Sequence, residues 1–117
     1  MCCSTAREAA ERLIEGNPRS PEALALYGDA LWASGLFEQA EDKYRDALSQ
    51  MPELARGRHG MARSLAARGQ FAASLNEAQA ALRLAPRDLE LHHTVGSIYE
   101  RMHKYEEAAT AYGNYVN

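Results

Sequence analysis

The feature that most constrains this chain is an interval. Gly35, Gly69 and His103 fall 34 residues apart, as do Phe37, Phe71 and Tyr105, and as do Pro18, Pro52 and Pro86. A period of this length marks a supersecondary unit that cannot bury its apolar face alone and stacks on copies of itself. The template is the stretch 21–52, with Leu24, Tyr27, Gly28, Leu31, Gly35, Phe37, Ala40, Tyr44, Ala47 and Pro52. Every other segment is a copy of it or a piece of one.

Taken in order, Ala6, Ala9, Ala10, Leu13 and Ile14 follow the three-and-four spacing of a one-sided helix over 4–15, which Gly16, Asn17 and Pro18 stop. Ser20, Pro21 and Glu22 supply an N-cap hydroxyl, a proline at the first helical position and an acid in the first turn. The helix they start is expected to run to about Ser34, with Leu24, Tyr27, Gly28 and Leu31 inward and Gly28 marking a close approach by another helix. Gly35 ends it. A second helix is expected over about 37–50, with Phe37, Ala40, Tyr44, Ala47 and Leu48 on one side, and so short a turn makes the two an antiparallel hairpin.

The second copy places Met61, Ala62 and Leu65 on its first helix, and Leu75, Ala78, Ala81, Leu82 and Leu84 on its second. Its first helix carries Gly57 and Gly60, each costing roughly 1 kcal/mol relative to alanine in a helix interior, and is expected to be the weakest. The third copy opens on Asp88 as N-cap and continues through Val95, Gly96, Tyr99, Tyr105, Ala108, Tyr112 and Tyr115. His103 replaces the glycine of the other copies, so a differently shaped turn is expected there.

Composition narrows the function. With 46% hydrophobic and 25% charged residues, the 117-residue chain is of ordinary globular make-up, sufficient for one modest core. Its uncharged runs fall far short of the ~20 apolar residues of a membrane span. The first residues acquire charge at once and lack the apolar stretch of a secretory signal, so the compartment is left unnamed. Cys2 and Cys3 are adjacent and cannot staple distant parts of the chain. A net charge of −3 argues against nucleic acid as a partner. The charge is unevenly spread: residues 22–46 hold six acids against Lys43 and Arg45, whereas residues 55–76 hold Arg56, Arg58, Arg63 and Arg68 with no acid.

These residues and their spacing resemble the tetratricopeptide repeat, a 34-residue helix-turn-helix unit, over 21–117. The resemblance implies an all-α, right-handed superhelical solenoid of antiparallel helix pairs, about seven helices in all. It would form one domain over 1–117, with repeats at 21–54, 55–88 and 89–117, the last truncated. The helix within 4–18 then looks like the second helix of a preceding repeat, or else an N-terminal cap. Departures from the family pattern are Ser74 for an alanine, Ala62 for a glycine, and Arg58 and His92 for the large apolar residue that opens each first helix. Beginning in mid-repeat and ending on an uncapped helix leads to the expectation of a segment of a longer protein. It also leads one to expect an apolar patch of Tyr112, Tyr115 and Val116 that finds a partner, a second copy of this chain included.

In the family, first helices line a concave groove that holds a peptide or a partner's helix. Carried across, the groove shows Glu22, Ala25, Leu26, Asp29 and Trp32, then Arg56, His59, Gly60, Arg63 and Ala67, then Glu90, His93, Thr94, Ser97 and Arg101. The partner-binding set drawn from these is Leu26, Asp29, Trp32, Arg56, His59, Arg63, His93, Ser97 and Arg101. Arg56, His59 and Arg63 form a stripe that either holds an acidic peptide or is neutralised by neighbours, since Glu22, Arg56 and Glu90 are each 34 apart, as are Asp29 and Arg63. Leu26 and Trp32 are either an apolar anchor or packing against the next repeat.

The carboxylate clamp of chaperone-binding relatives is absent, since its places hold Ala25, Asp29, Gly60, Glu90 and Thr94. His59 and His93 are neighbours by period, but two histidines without a third ligand make no metal site. His92 is expected to pack in the hairpin and His103 to lie in a surface turn. There is no phosphate loop, nucleophile elbow, HExxH or CxxC, so neither an enzyme nor a cofactor is expected. The expected function is a protein-interaction scaffold for a protein or peptide. The alternatives are self-association through the terminal helices, or presentation of a substrate to a catalytic domain elsewhere in a longer protein.

Overall fold

A computed structural model describes residues 20–116, without the side chains of Tyr115 and Val116. The helix expected over 4–15 and the two cysteines lie outside the described residues. Among the described residues six helices follow one another: α1 (Pro21–Ala33), α2 (Phe37–Gln50), α3 (Ala55–Ala67), α4 (Phe71–Leu84), α5 (Leu89–Arg101) and α6 (Tyr105–Val116). Each odd-numbered helix pairs with the next as a hairpin, the second helix of one hairpin packs on the first of the next, and α1, α3 and α5 touch in series. The result is the solenoid that the resemblance implies, an elongated body of 45 × 29 × 24 Å.

Local chemistry accounts for the helix ends. The Ser20 hydroxyl accepts from the Ala23 N–H at 3.4 Å, with Pro21 at the first helical position, and Asp88 caps α5 by accepting from the Glu90 N–H at 3.0 Å. All three hairpin turns share one form. Gly35 and Gly69 take φ of 82° and 80°, and the next residue's N–H reaches back to the carbonyl five residues earlier, Leu36 to Leu31 and Gln70 to Leu65, both at 2.9 Å. The different turn expected at His103 does not form: the residue takes φ 62°, and Lys104 bonds to Tyr99 at 2.9 Å. The hairpin packing overrides the reluctance of a side-chain-bearing residue to enter the left-handed region.

Two apolar clusters form the core. One joins Ala25, Leu31, Ala40 and Tyr44 with Leu54 and Met61 across the first repeat boundary; the other joins Ala62, Ala66, Ala78, Val95, Ile98 and Ala111 with Leu75 and Met102. Tyr44 is fully buried, its ring pressed on Gly28 of its own hairpin and on Gly60 of the next. Gly60 is thus a seat for Tyr44 within a continuous 13-residue helix.

The departures from the repeat pattern are accommodated. Ser74 donates to the Ala62 carbonyl at 2.6 Å inside the core. Arg58 and His92, 34 apart, each reach back to a proline carbonyl six residues earlier, Pro52 at 3.3 Å and Pro86 at 2.9 Å. Leu84 lies on α4 as expected and is exposed at the helix end. No described helix is long and apolar enough to cross a membrane.

Candidate functional site

The first helices of the three hairpins, α1, α3 and α5, put their residues on one face, where three adjoining depressions form a groove. The one at the α3–α5 end, of about 280 Å³, lies between Trp32, Arg63, Ala66, Ala67, His93, Thr94, Ser97, Ile98 and Arg101. The next, of about 400 Å³, is rimmed by Asp29, Trp32, Arg56, His59, Arg63, Asp88 and Glu90. A third, of about 270 Å³, lies between His59, Arg63, Glu90, His93 and Thr94. Eight of the nine residues expected to hold a partner therefore meet in one continuous surface. The ninth, Leu26, is half-buried on α1 and does not line these depressions.

Asp29 is the electrostatic centre. It accepts a 2.5 Å hydrogen bond from the Tyr44 hydroxyl and a 3.2 Å bond from Arg63, and it pairs with Arg56 at 3.3 Å. Burial, and secondarily the charge of Asp29, push the Tyr44 phenol far above its ordinary value, so it stays a proton donor to the carboxylate. The ladder of Glu22, Arg56 and Glu90 expected from the period is not what forms: Arg56 turns diagonally to Asp29, and Glu22 takes the Ser20 hydroxyl at 2.9 Å. The expected pairing of Asp29 with Arg63 does form.

His59 bridges α3 to α5 through a 2.7 Å bond between its Nε2 and the Thr94 hydroxyl. Burial, and then the neighbouring Arg63, hold its imidazole below the usual range, against the opposing pull of Asp88, Glu90 and Asp29. His93 lines the same depression, its ring tilted by 54° against that of Tyr112 with centroids 5.6 Å apart. Among the described residues no group of three His, Cys, Asp or Glu side chains is placed to hold a metal.

Trp32 carries the Arg63 guanidinium over its ring at 4.6 Å and leans on Phe37 at 6.3 Å. The ring packs across the repeat boundary and also forms a wall of the apolar depression. Arg101 rests on the Phe71 ring at 4.9 Å. Two expected groove residues are interior instead: Ala25 is fully buried, and Gly60 is covered by Tyr44. Ala66 and Ile98, missed from sequence, supply part of the apolar floor. The signal for Ala66 is the small buried face of α3, and for Ile98 the apolar spacing of Leu91, Val95 and Ile98 along α5.

Comparison with known proteins supplies the last step. The family model described as tetratricopeptide repeat matches residues 3–55 and 59–116. No curated protein sequence matches. Among solved structures, TTC0263, a thermophilic TPR protein of Thermus thermophilus, superposes with a TM-score of 0.91 at 21% identity, covering 97% of this chain and 64% of its own. A crystal structure of MamA gives 0.81 at 16% identity, covering 97% and 67%. MamA 41-end from Desulfovibrio magneticus RS-1 gives 0.83 at 17%, covering 97% and 64%. This chain thus spans about two thirds of the length of the structures it matches, at identities that speak for the fold alone. With the repeat model matched over nearly all of its length and its hairpins stacked as that repeat stacks, the chain belongs to the tetratricopeptide repeat family.

Proposed function

We propose that this chain is a protein-interaction scaffold, without chemistry of its own, whose concave groove holds a peptide segment of a partner protein, and that it works as part of a longer protein. The observation that carries this reading is the depression beside Trp32, where an indole wall, Ala66, Ala67 and Ile98 form an apolar floor bordered by polar and basic side chains. Ligand sites have this make-up, mostly apolar with a few placed polar groups. The charged groups nearby argue for the same anchor, because Arg56 and Arg63 are already engaged by Asp29. Calorimetric titration with peptides selected from a random library on the wild-type chain tests it. Trp32→Ala is expected to abolish binding with helicity unchanged, and selected peptides that bind both proteins equally would rule the groove out.

A second reading, self-association through the terminal helices, is favoured by Tyr105. The ring of its counterpart Phe71 is covered by Arg101 of the next hairpin, whereas Tyr105 is 62% exposed. A monomer in sedimentation at high concentration would exclude it.

A further inference from the structure

The groove is electrically polarised along α5. At one end Arg101 borders the apolar depression, lies on the Phe71 ring and forms no ion pair among the described residues. No carboxylate lines that depression. At the other end Asp88 and Glu90 rim the neighbouring depression, whose arginines are bound to Asp29. Arg101 and Glu90 are eleven residues apart on one helix, a span of about 16 Å at the helical rise of 1.5 Å per residue.

We infer that the groove takes an extended peptide carrying an acidic side chain and a basic side chain about five residues apart, with one large aliphatic side chain close to the acid. The spacing follows from about 3.3 Å per extended residue over that span. The anchor belongs near the acid because Ile98, on the apolar floor, stands one helical turn from Arg101. A docked helix would need apolar seats at successive turns, whereas here one apolar depression is followed by two lined mainly with charged residues and histidine. The acid answers Arg101, the base answers Glu90 and Asp88, and the aliphatic side chain lies against Trp32. This assignment rests on the proposed groove binding and adds to it the charge order of the ligand.

The test uses fluorescence anisotropy of the full chain with a six-residue peptide blocked at both ends, glutamate first, leucine third, lysine sixth and serine elsewhere. Replacing its glutamate by lysine is expected to weaken binding about fivefold, and Arg101→Glu is expected to do the same to the original peptide, as a partly exposed ion pair allows. Combining the two changes is expected to restore binding. If both single changes leave affinity unaltered while replacing the leucine by serine or Trp32→Ala abolishes it, the groove stands and the charge order is wrong. If none of the four changes matters, groove binding itself fails. Circular dichroism of each variant separates lost binding from lost folding.

Discussion

Gly60 of α3 lies against the ring of Tyr44 from the preceding hairpin, and a methyl group at position 60 would overlap that ring. Tyr44 is therefore held between two glycines, Gly28 and Gly60, where the middle repeat sets Ala78 against Ala62. A methyl group at Gly57 on the same helix would meet the flexible side chain of Leu48, at 3.1 Å, and touch Leu54 at an ordinary 3.6 Å. The two glycines thus differ in kind. Gly60→Ala is expected to destabilise by about 2 kcal/mol through overpacking. Gly57→Ala is expected to change stability by less than about 1 kcal/mol, because improved helix propensity offsets a small displacement of Leu48. Urea midpoints of the two variants, side by side, check this; equal losses would show that helix propensity, not the Tyr44 seat, governs α3.

Glu41 is buried on α2 and bonded by both carboxylate oxygens to Arg68, at 2.8 and 2.7 Å, across the first repeat boundary. One period later the same two places hold Leu75 and Met102, both packed on the second core cluster. The fold thus shows two solutions to one contact, an ion pair and an apolar pair. Arg68→Met alone leaves the buried carboxylate only the longer contact with Arg45, at 3.9 Å, and is expected to lower the melting temperature by several degrees, whereas Glu41→Leu with Arg68→Met is expected to recover it. A double variant no better than the single one would mean that the two boundaries are not interchangeable.

The parts of the fold legible in the sequence are those contained in one period. Pro21 and Ser20 mark the start of α1, Gly35 marks its end, and the bounds of α2 at Phe37 and Gln50 follow from spacing alone, because each depends on residues a few positions away. Contacts between repeats were legible only where they run straight up the stack, as from Asp29 to Arg63. The diagonal pairing of Arg56 with Asp29 and the burial of Glu41 against Arg68 depend on how far one hairpin rotates on the next, and the bond from Tyr44 to Asp29 on how the two helices of one hairpin face each other. A period in sequence carries no measure of that rotation. The groove was accordingly located, while the distribution of its charges was not.

His103 holds φ 62° in a turn that the other two repeats build on glycine. Its ring bonds to the exposed Tyr105 hydroxyl at 2.9 Å, a solvent-facing contact that returns little. His103→Gly is expected to stabilise the chain by about 0.5–1 kcal/mol by relieving the left-handed strain, net of the greater freedom glycine has when unfolded. Thermal unfolding reads it directly, and a lower midpoint would assign the Tyr105 contact a larger share than its exposure implies.

His59 makes stability depend on pH in one direction. Its imidazole is held below the ordinary value of 6.5 by burial and by Arg63, and it faces Asp29, Asp88 and Glu90, which pull the other way without prevailing. The unfolded chain therefore takes up this proton at a higher pH than the folded chain. The contribution of His59 is fully present above about pH 6.5 and is lost as pH falls from there toward the folded value. His59→Gln keeps an amide in place of the ring nitrogen that meets Thr94 and removes the titration. Urea midpoints at pH 7.5 and pH 5 are expected to fall further for the wild type than for His59→Gln. An equal fall in both would show that the Thr94 bridge is kept with the imidazole charged, and that protonation of His59 does not open the contact between α3 and α5.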